Sequence, residues 1–263
     1  MANDSAGIQG AQIVVDGVGK RYGRHTALES VTTTFDPGQR VGIVGESGSG
    51  KSTLARLVMG LERPTSGAIV VDGLELGQRL ATPSGRRDYW RRVQLVQQDT
   101  ASSFNPRFTF ARALSVPAQR LLGLDLRAAE TEAARVVDAV GLPDRLLEAR
   151  PAQLSGGQRQ RMALARALVV RPSVLVCDEA VSALDVSAQG RVLNLVKTYA
   201  VETGATLVFI SHGLPATAFV SEEMVVMYRG RLVERGDTDT LMAAPTDDYT
   251  AGLVASYREL AAT

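Results

Sequence analysis

The chain is predicted to be an α/β protein built on a parallel sheet with helices on both faces. Three short apolar runs, RVGIV (40–44), SVLVC (173–177) and TLVFI (206–210), are continuous rather than alternating, as strands buried on both sides require. Helical spacing follows the first run at Leu54, Leu57, Val58 and Leu61, and separates the other two at Val192, Leu193, Leu195 and Val196. A glycine-rich bend lies between RVGIV and its helix, giving strand, glycine loop, helix.

The remaining elements follow from the same patterns. Residues 12–15, 31–35 and 68–71 are β-rich runs separated by Gly, Pro and Asp, which places strands near the N-terminus. The first helix has Gly60 and Pro64 available to end it. From about 100 to 170 the sequence becomes helix-rich, clearest over 128–140 and 158–170, and reads as a helical subdomain inserted into the α/β core. MVVMYRGRLVERG (224–236) is expected to form a hairpin turning at Arg229-Gly230. The expected organisation is a flexible N-terminus over 1–10, one large domain over 11–240 and a weakly patterned tail over 241–263.

Composition narrows the class of function. At 263 residues and 45% hydrophobic, the chain can bury a substantial core. With 29 basic against 28 acidic residues the formal charge is +1, so the overall balance gives no reason to expect nucleic acid or an anionic membrane as partner. The single cysteine, Cys177, lies inside an apolar run, is expected to be a buried small hydrophobe, and excludes an internal disulfide framework. The polar start MANDSAGIQG lacks the basic and apolar regions of a secretion signal, and no run approaches the ~18 apolar residues of a membrane span, so a soluble chain is expected.

Gly45, Gly50, Lys51 and Ser52 satisfy G-x-x-x-x-G-K-[ST], with Gly48 as an additional glycine and Glu46, Ser47, Ser49 and Thr53 completing GESGSGKST. The glycines let backbone N–H groups converge on phosphate oxygens, and the following helix adds its positive end. Lys51 reaches the outer phosphates and Ser52 offers a hydroxyl to Mg²⁺. A nucleoside triphosphate site is expected. Such a site needs acidic groups at the end of a neighbouring strand, and VLVCDEA supplies them: Asp178 suits Mg²⁺ through water, Glu179 suits polarising the attacking water.

LSGGQRQR (154–161) then presents a second anion-binding helix start. Ser155 can cap, while Gly156 and Gly157 expose N–H groups at the positive end, next to Gln158. On these motifs, in this order, residues 12–240 resemble the nucleotide-binding subunit of an ATP-binding cassette (ABC) transporter. The resemblance implies a RecA-like P-loop core with an N-terminal antiparallel β subdomain and an inserted helical subdomain. It also implies two Mg·ATP molecules sandwiched head to tail between the phosphate loop of one subunit and LSGGQ of another, in a homodimer or heterodimer.

Further positions carry the family's roles by resemblance. Tyr22 in KRYG matches the aromatic that stacks on adenine. Gln98, preferred to its neighbour Gln97 because an acidic residue follows it, matches the glutamine that senses Mg²⁺ and the γ-phosphate. Asp185 in SALD (182–185) matches the loop coupling the two sites, and His212 matches the switch histidine at the γ-phosphate. The chain departs from the family pattern at Ala180, usually Pro, and at Gly213, usually Asp.

SSFNPR (102–107) and DDYTAGLVAS (247–256) are similar to stretches of the peptide and nickel branch of importers. That branch implies a second cassette, two permeases, a binding protein acting indirectly, and a location on the cytoplasmic face of the cell membrane. The alternatives are a soluble cassette protein of translation or DNA maintenance, or a regulatory cassette. The former would carry a second cassette or a long heptad insertion, neither of which is visible.

Overall fold

The computed structural model describes residues 10–97, 103–181, 184 and 186–261. Gln98 and Asp185 lie outside the described residues. The N-terminal part contributes β1 (Ile13–Tyr22), β2 (His25–Phe35), β3 (Arg40–Val44), α1 (Lys51–Val58), β4 (Ser66–Val71), β5 (Leu74–Glu75), α2 (Leu76–Arg79), α3 (Pro83–Arg92) and β6 (Val93–Val96). A helical segment follows with α4 (Phe110–Pro117), α5 (Leu126–Ala139) and α6 (Gly156–Leu168), joined by one short π-helical turn after α4 and two 3₁₀ turns before α6. The chain returns to the core with β7 (Val174–Asp178), α7 (Val186–Thr203), β8 (Thr206–Ile210), α8 (Leu214–Val220), β9 (Glu223–Tyr228), β10 (Arg231–Asp237), α9 (Thr238–Ala243) and α10 (Asp248–Ala261).

Two sheets result. The larger has strand order β10-β9-β3-β8-β7-β6, parallel from β9 to β6 with β10 antiparallel at one edge. The smaller is antiparallel, in the order β2-β1-β4-β5. The α/β prediction and the expected hairpin are both borne out, the hairpin turning at Arg229 and Gly230 with positive φ at each.

Neighbouring residues of one strand enter opposite cores. Val174 and Val176 of β7, with Val208 and Ile210 of β8, pack with Phe35, Ile43, Leu54 and Leu57 beneath the antiparallel sheet. Leu175, Cys177, Leu207 and Phe209 face the other way, among Met162, Leu164, Val192 and Val196 of α6 and α7. This two-sided burial is why those strands are uniformly apolar. Burial pushes the Cys177 thiol up to about 12, so it behaves as the small hydrophobe the sequence suggests.

Several elements lack a strong sequence pattern. Helix α3 is strongly charged, PSGRRDYWRR, and buries Tyr89, whose hydroxyl donates to the Val58 carbonyl. The weakly patterned tail forms α9 and α10, which pack Leu241 and Val254 against Val44, Met224 and Val226.

Candidate functional site

Strand β3 ends at Val44 and α1 starts at Lys51, so residues 45–50 span the gap at the carboxyl end of the parallel sheet, where α/β folds place ligands. Two glycines are compulsory there. Gly45 has φ 146°, and a Cβ would stand 2.1 Å from the Met227 carbonyl oxygen; Gly50 has φ 104°, and a Cβ would meet the Ala27 oxygen at 2.7 Å. Gly48, also at positive φ, borders open space. Among the described residues no acceptor faces the N–H of Ser47, Gly48 or Gly50, which leaves these donors available to an anion.

Lys51 is 6% exposed, and burial lowers its pKa. Its ammonium donates to the carbonyls of Gly45 and Glu46, both at 2.7 Å, and to Ser49 Oγ at 3.3 Å. Ser52 Oγ donates to Asp178 Oδ1 at 3.0 Å, joining the first turn of α1 to the last residue of β7. Desolvation raises the Asp178 pKa, while the Ser52 bond opposes that shift and the adjacent Glu179 charge adds to it. A buried carboxylate penalised in this way, beside a hydroxyl and an anion cradle, suits a bound cation.

Strand pairing assembles the rest. Asp178 of β7 registers with Ile210 of β8, and Ile43 of β3 registers with the same Ile210, so the three strands end together. Glu179 adopts φ 52° and donates its N–H to the Ile210 carbonyl at 2.9 Å. Its carboxylate lies 3.5 Å from His212 Nδ1; the histidine side chain is 66% exposed and the glutamate 18%. An acid that is partly shielded thus stands beside an imidazole that reaches outward.

Ser155 caps α6 as the sequence suggests. Its Oγ accepts from the Gln158 N–H at 3.3 Å, and Gln158 Oε1 accepts from the Ser155 N–H at 3.0 Å, a reciprocal capping box. Gly156 faces open space, whereas a Cβ on Gly157 would approach Leu184 at 3.2 Å. Among the described residues no hydrogen bond joins 155–158 to 45–53.

Tyr22, the last residue of β1, is 42% exposed. Its hydroxyl donates to Glu62 Oε2 at 2.5 Å, Thr53 lies beside it, and the Lys20 ammonium stands 5.0 Å from its ring centroid. At the first departure, Ala180 is buried. At the second, Gly213 supplies α8 with no side-chain cap, but its N–H is taken by Ser211 Oγ at 3.0 Å.

Residues 28–182 match the family model described as ABC transporter. The chain belongs to the ABC transporter family. As an ABC cassette it is 43% identical over 231 residues to a probable peptide ABC transporter ATP-binding protein, y4tS, of Sinorhizobium fredii, covering 88% of this chain and 65% of that protein. It is 37% identical over 237 residues to the oligopeptide transport ATP-binding protein OppF of Lactococcus lactis, covering 90% of this chain and 74% of that one. The cassette thus spans only part of the length of both relatives. Among solved structures, the dimeric bacterial ABC transporter cassette MJ0796 superposes with a TM-score of 0.81 at 26% identity, covering 86% of this chain and 98% of that one. A dimeric post-hydrolysis state of the same cassette, bound to ADP and Pi, superposes at 0.80 with the same identity and coverage.

One contact of this cassette's site escaped the sequence reading. The Glu46 N–H donates to the Tyr249 hydroxyl at 2.9 Å, although the two residues are 203 positions apart. The sequence marks Tyr249 only as part of a branch-like Tyr-Thr pair, and nothing local to either residue announces the contact.

Proposed function

We propose that this cassette hydrolyses Mg·ATP to drive peptide uptake through permease subunits, working as one of two cassettes at the cytoplasmic face of a membrane. The observation that supports this best is the convergence of Lys51, the Ser52–Asp178 pair and the Glu179–His212 pair at the ends of β3, β7 and β8. Phosphoryl transfer asks a protein mainly for positioning and charge stabilisation, and these groups supply both. The amides of Ser47, Gly48 and Gly50 and the Lys51 ammonium receive the β- and γ-phosphates, and Tyr22 offers its ring to adenine. Ser52 and Asp178 would hold Mg²⁺, which when bound neutralises charge on the β- and γ-oxygens. Glu179 orients the attacking water and accepts its proton, while the exposed His212 faces the γ-phosphate. Gln98 and Asp185 are assigned to metal sensing and to coupling of the two sites.

The partner cassette's signature helix completes the site, and Ser155–Gln158 of this chain serve the partner's nucleotide in return. Two cassettes closing on ATP move the permeases because the closed state binds ATP more tightly than the open one. The names of the relatives support peptide as cargo, which a binding protein would deliver, while among the described residues no helix is long and apolar enough to cross a membrane. The test reconstitutes the cassette with its permeases and binding protein in vesicles and follows ATP hydrolysis and uptake of labelled peptide. Glu179→Gln is expected to retain nucleotide while lowering turnover by about 10²-fold or more. A wild type that hydrolyses no faster than this variant overturns the ATPase reading, and uptake of nickel without peptide overturns the cargo.

A further inference from the structure

The phosphate loop is braced by a part of the chain that lies far from it in sequence and carries no phosphate motif. Tyr249, in the first turn of α10, stacks on Tyr228, the last residue of β9, with ring centroids 4.2 Å apart and planes inclined by 26°. Beyond Tyr228 the hairpin turns at Gly230, whose N–H donates to the Ser49 carbonyl at 3.0 Å. The start of α10 is itself fixed, because Asp247 Oδ1 accepts from the N–H groups of Tyr249 and Thr250 at 3.0 and 3.2 Å. Ring and backbone are therefore both held, and the Tyr249 hydroxyl is presented to the Glu46 N–H at 2.9 Å.

Glu46 makes further contacts through its other peptide group. Its carbonyl accepts from the Lys51 ammonium at 2.7 Å and from the Ser49 N–H at 3.2 Å. One end of the residue is thus tied to the tail helix and the other to the lysine that meets the phosphates. We propose that Tyr249 is a positioning residue of the nucleotide site: through the Glu46 N–H it sets the Gly45–Glu46 peptide, whose Gly45 carbonyl accepts from Lys51 at 2.7 Å, so nucleotide affinity depends on a hydroxyl of α10. A hydrogen bond between fully anchored partners loses little entropy on forming, and an oriented lysine needs less rearrangement to meet a phosphate.

This inference rests on the ATP-binding reading, and the test separates the two. Mg·ATP is titrated into the full-length chain as wild type, Tyr249→Phe and Tyr228→Phe. Tyr249→Phe keeps the stacked ring and removes only the hydroxyl; it is expected to weaken Mg·ATP about five-fold, the loss of one hydrogen bond. Its ligand-free thermal midpoint should fall by no more than about 2–4 °C, the loss of one hydrogen bond, and in the assembled transporter KM for ATP should rise while kcat is retained. Tyr228→Phe, which preserves the stack and the Tyr249 hydroxyl, should bind as wild type does. Unchanged affinity in Tyr249→Phe overturns the inference, as does an equal loss in Tyr228→Phe, which would assign the effect to packing. A wild type that does not bind Mg·ATP overturns the proposed function as well.

Discussion

His212 and Glu179 share one contact but stand in different surroundings. The imidazole is largely in solvent and the carboxylate is shielded, so removing the histidine should leave the fold intact while touching the chemistry. His212→Ala is expected to change stability by less than about 0.5 kcal/mol and to lower ATP turnover by about 10²-fold, read by thermal unfolding and steady-state hydrolysis of the assembled transporter. The positions of Lys51, Ser52, Asp178, Glu179 and His212 were legible in the sequence because phosphate chemistry restricts residue type and spacing within short stretches. The participation of Tyr249 was not, because a phenol gains that role only from the residue placed opposite it. The Gly213 departure shows another limit of the motif: it leaves α8 without a side-chain cap, and the Gly213 N–H is taken by Ser211, two residues upstream, which the motif does not include.

Helix α6 combines a local function with a distant one. Its capping box satisfies its own first-turn amides, and in the proposed assembly the same helix start faces a neighbour's nucleotide. Ser155→Ala should therefore cost about 1 kcal/mol through the lost cap, lowering the midpoint by about 2–4 °C. It should leave Mg·ATP affinity of the isolated chain unchanged and reduce hydrolysis by the paired cassettes. Loss of affinity in the isolated chain would refute that division of labour. Elements with strong periodicity, such as α5 and α6, were readable from spacing. Helix α3 was hidden because it buries chiefly Tyr89 among charged residues, and α10 because it offers mainly Val254 and Thr250 to the interior. In both, a few tertiary contacts outweigh a weak local pattern.

Across the whole molecule, early and late segments are sewn together. Arg231 makes two bonds to Glu29, at 2.8 and 2.9 Å, and Arg235 joins Glu223 of β9 to Thr33 of β2. Glu234 fixes the approach to α10, accepting from the Thr246 N–H and hydroxyl at 2.8 Å and from the Asp247 N–H at 3.2 Å. Burial works against the Glu234 charge, but these donors prevail and hold its carboxyl below the ordinary carboxylate range. The stabilisation is therefore present above the unfolded-state value and disappears as pH falls through the lower folded-state one. Glu234→Gln should be less stable than wild type at neutral pH, and the two thermal midpoints should converge on acidification; a gap that widens in acid would exclude this anchor. During synthesis, the order of the chain sets the order of completion. GESGSGKST emerges early, yet its partner at position 249 is made some two hundred residues later, at the separation of 203 set by the Glu46–Tyr249 bond. A nascent cassette would thus pass through a long interval with its nucleotide motif translated but unbraced, and its full grip on ATP would arrive only as α10 docks.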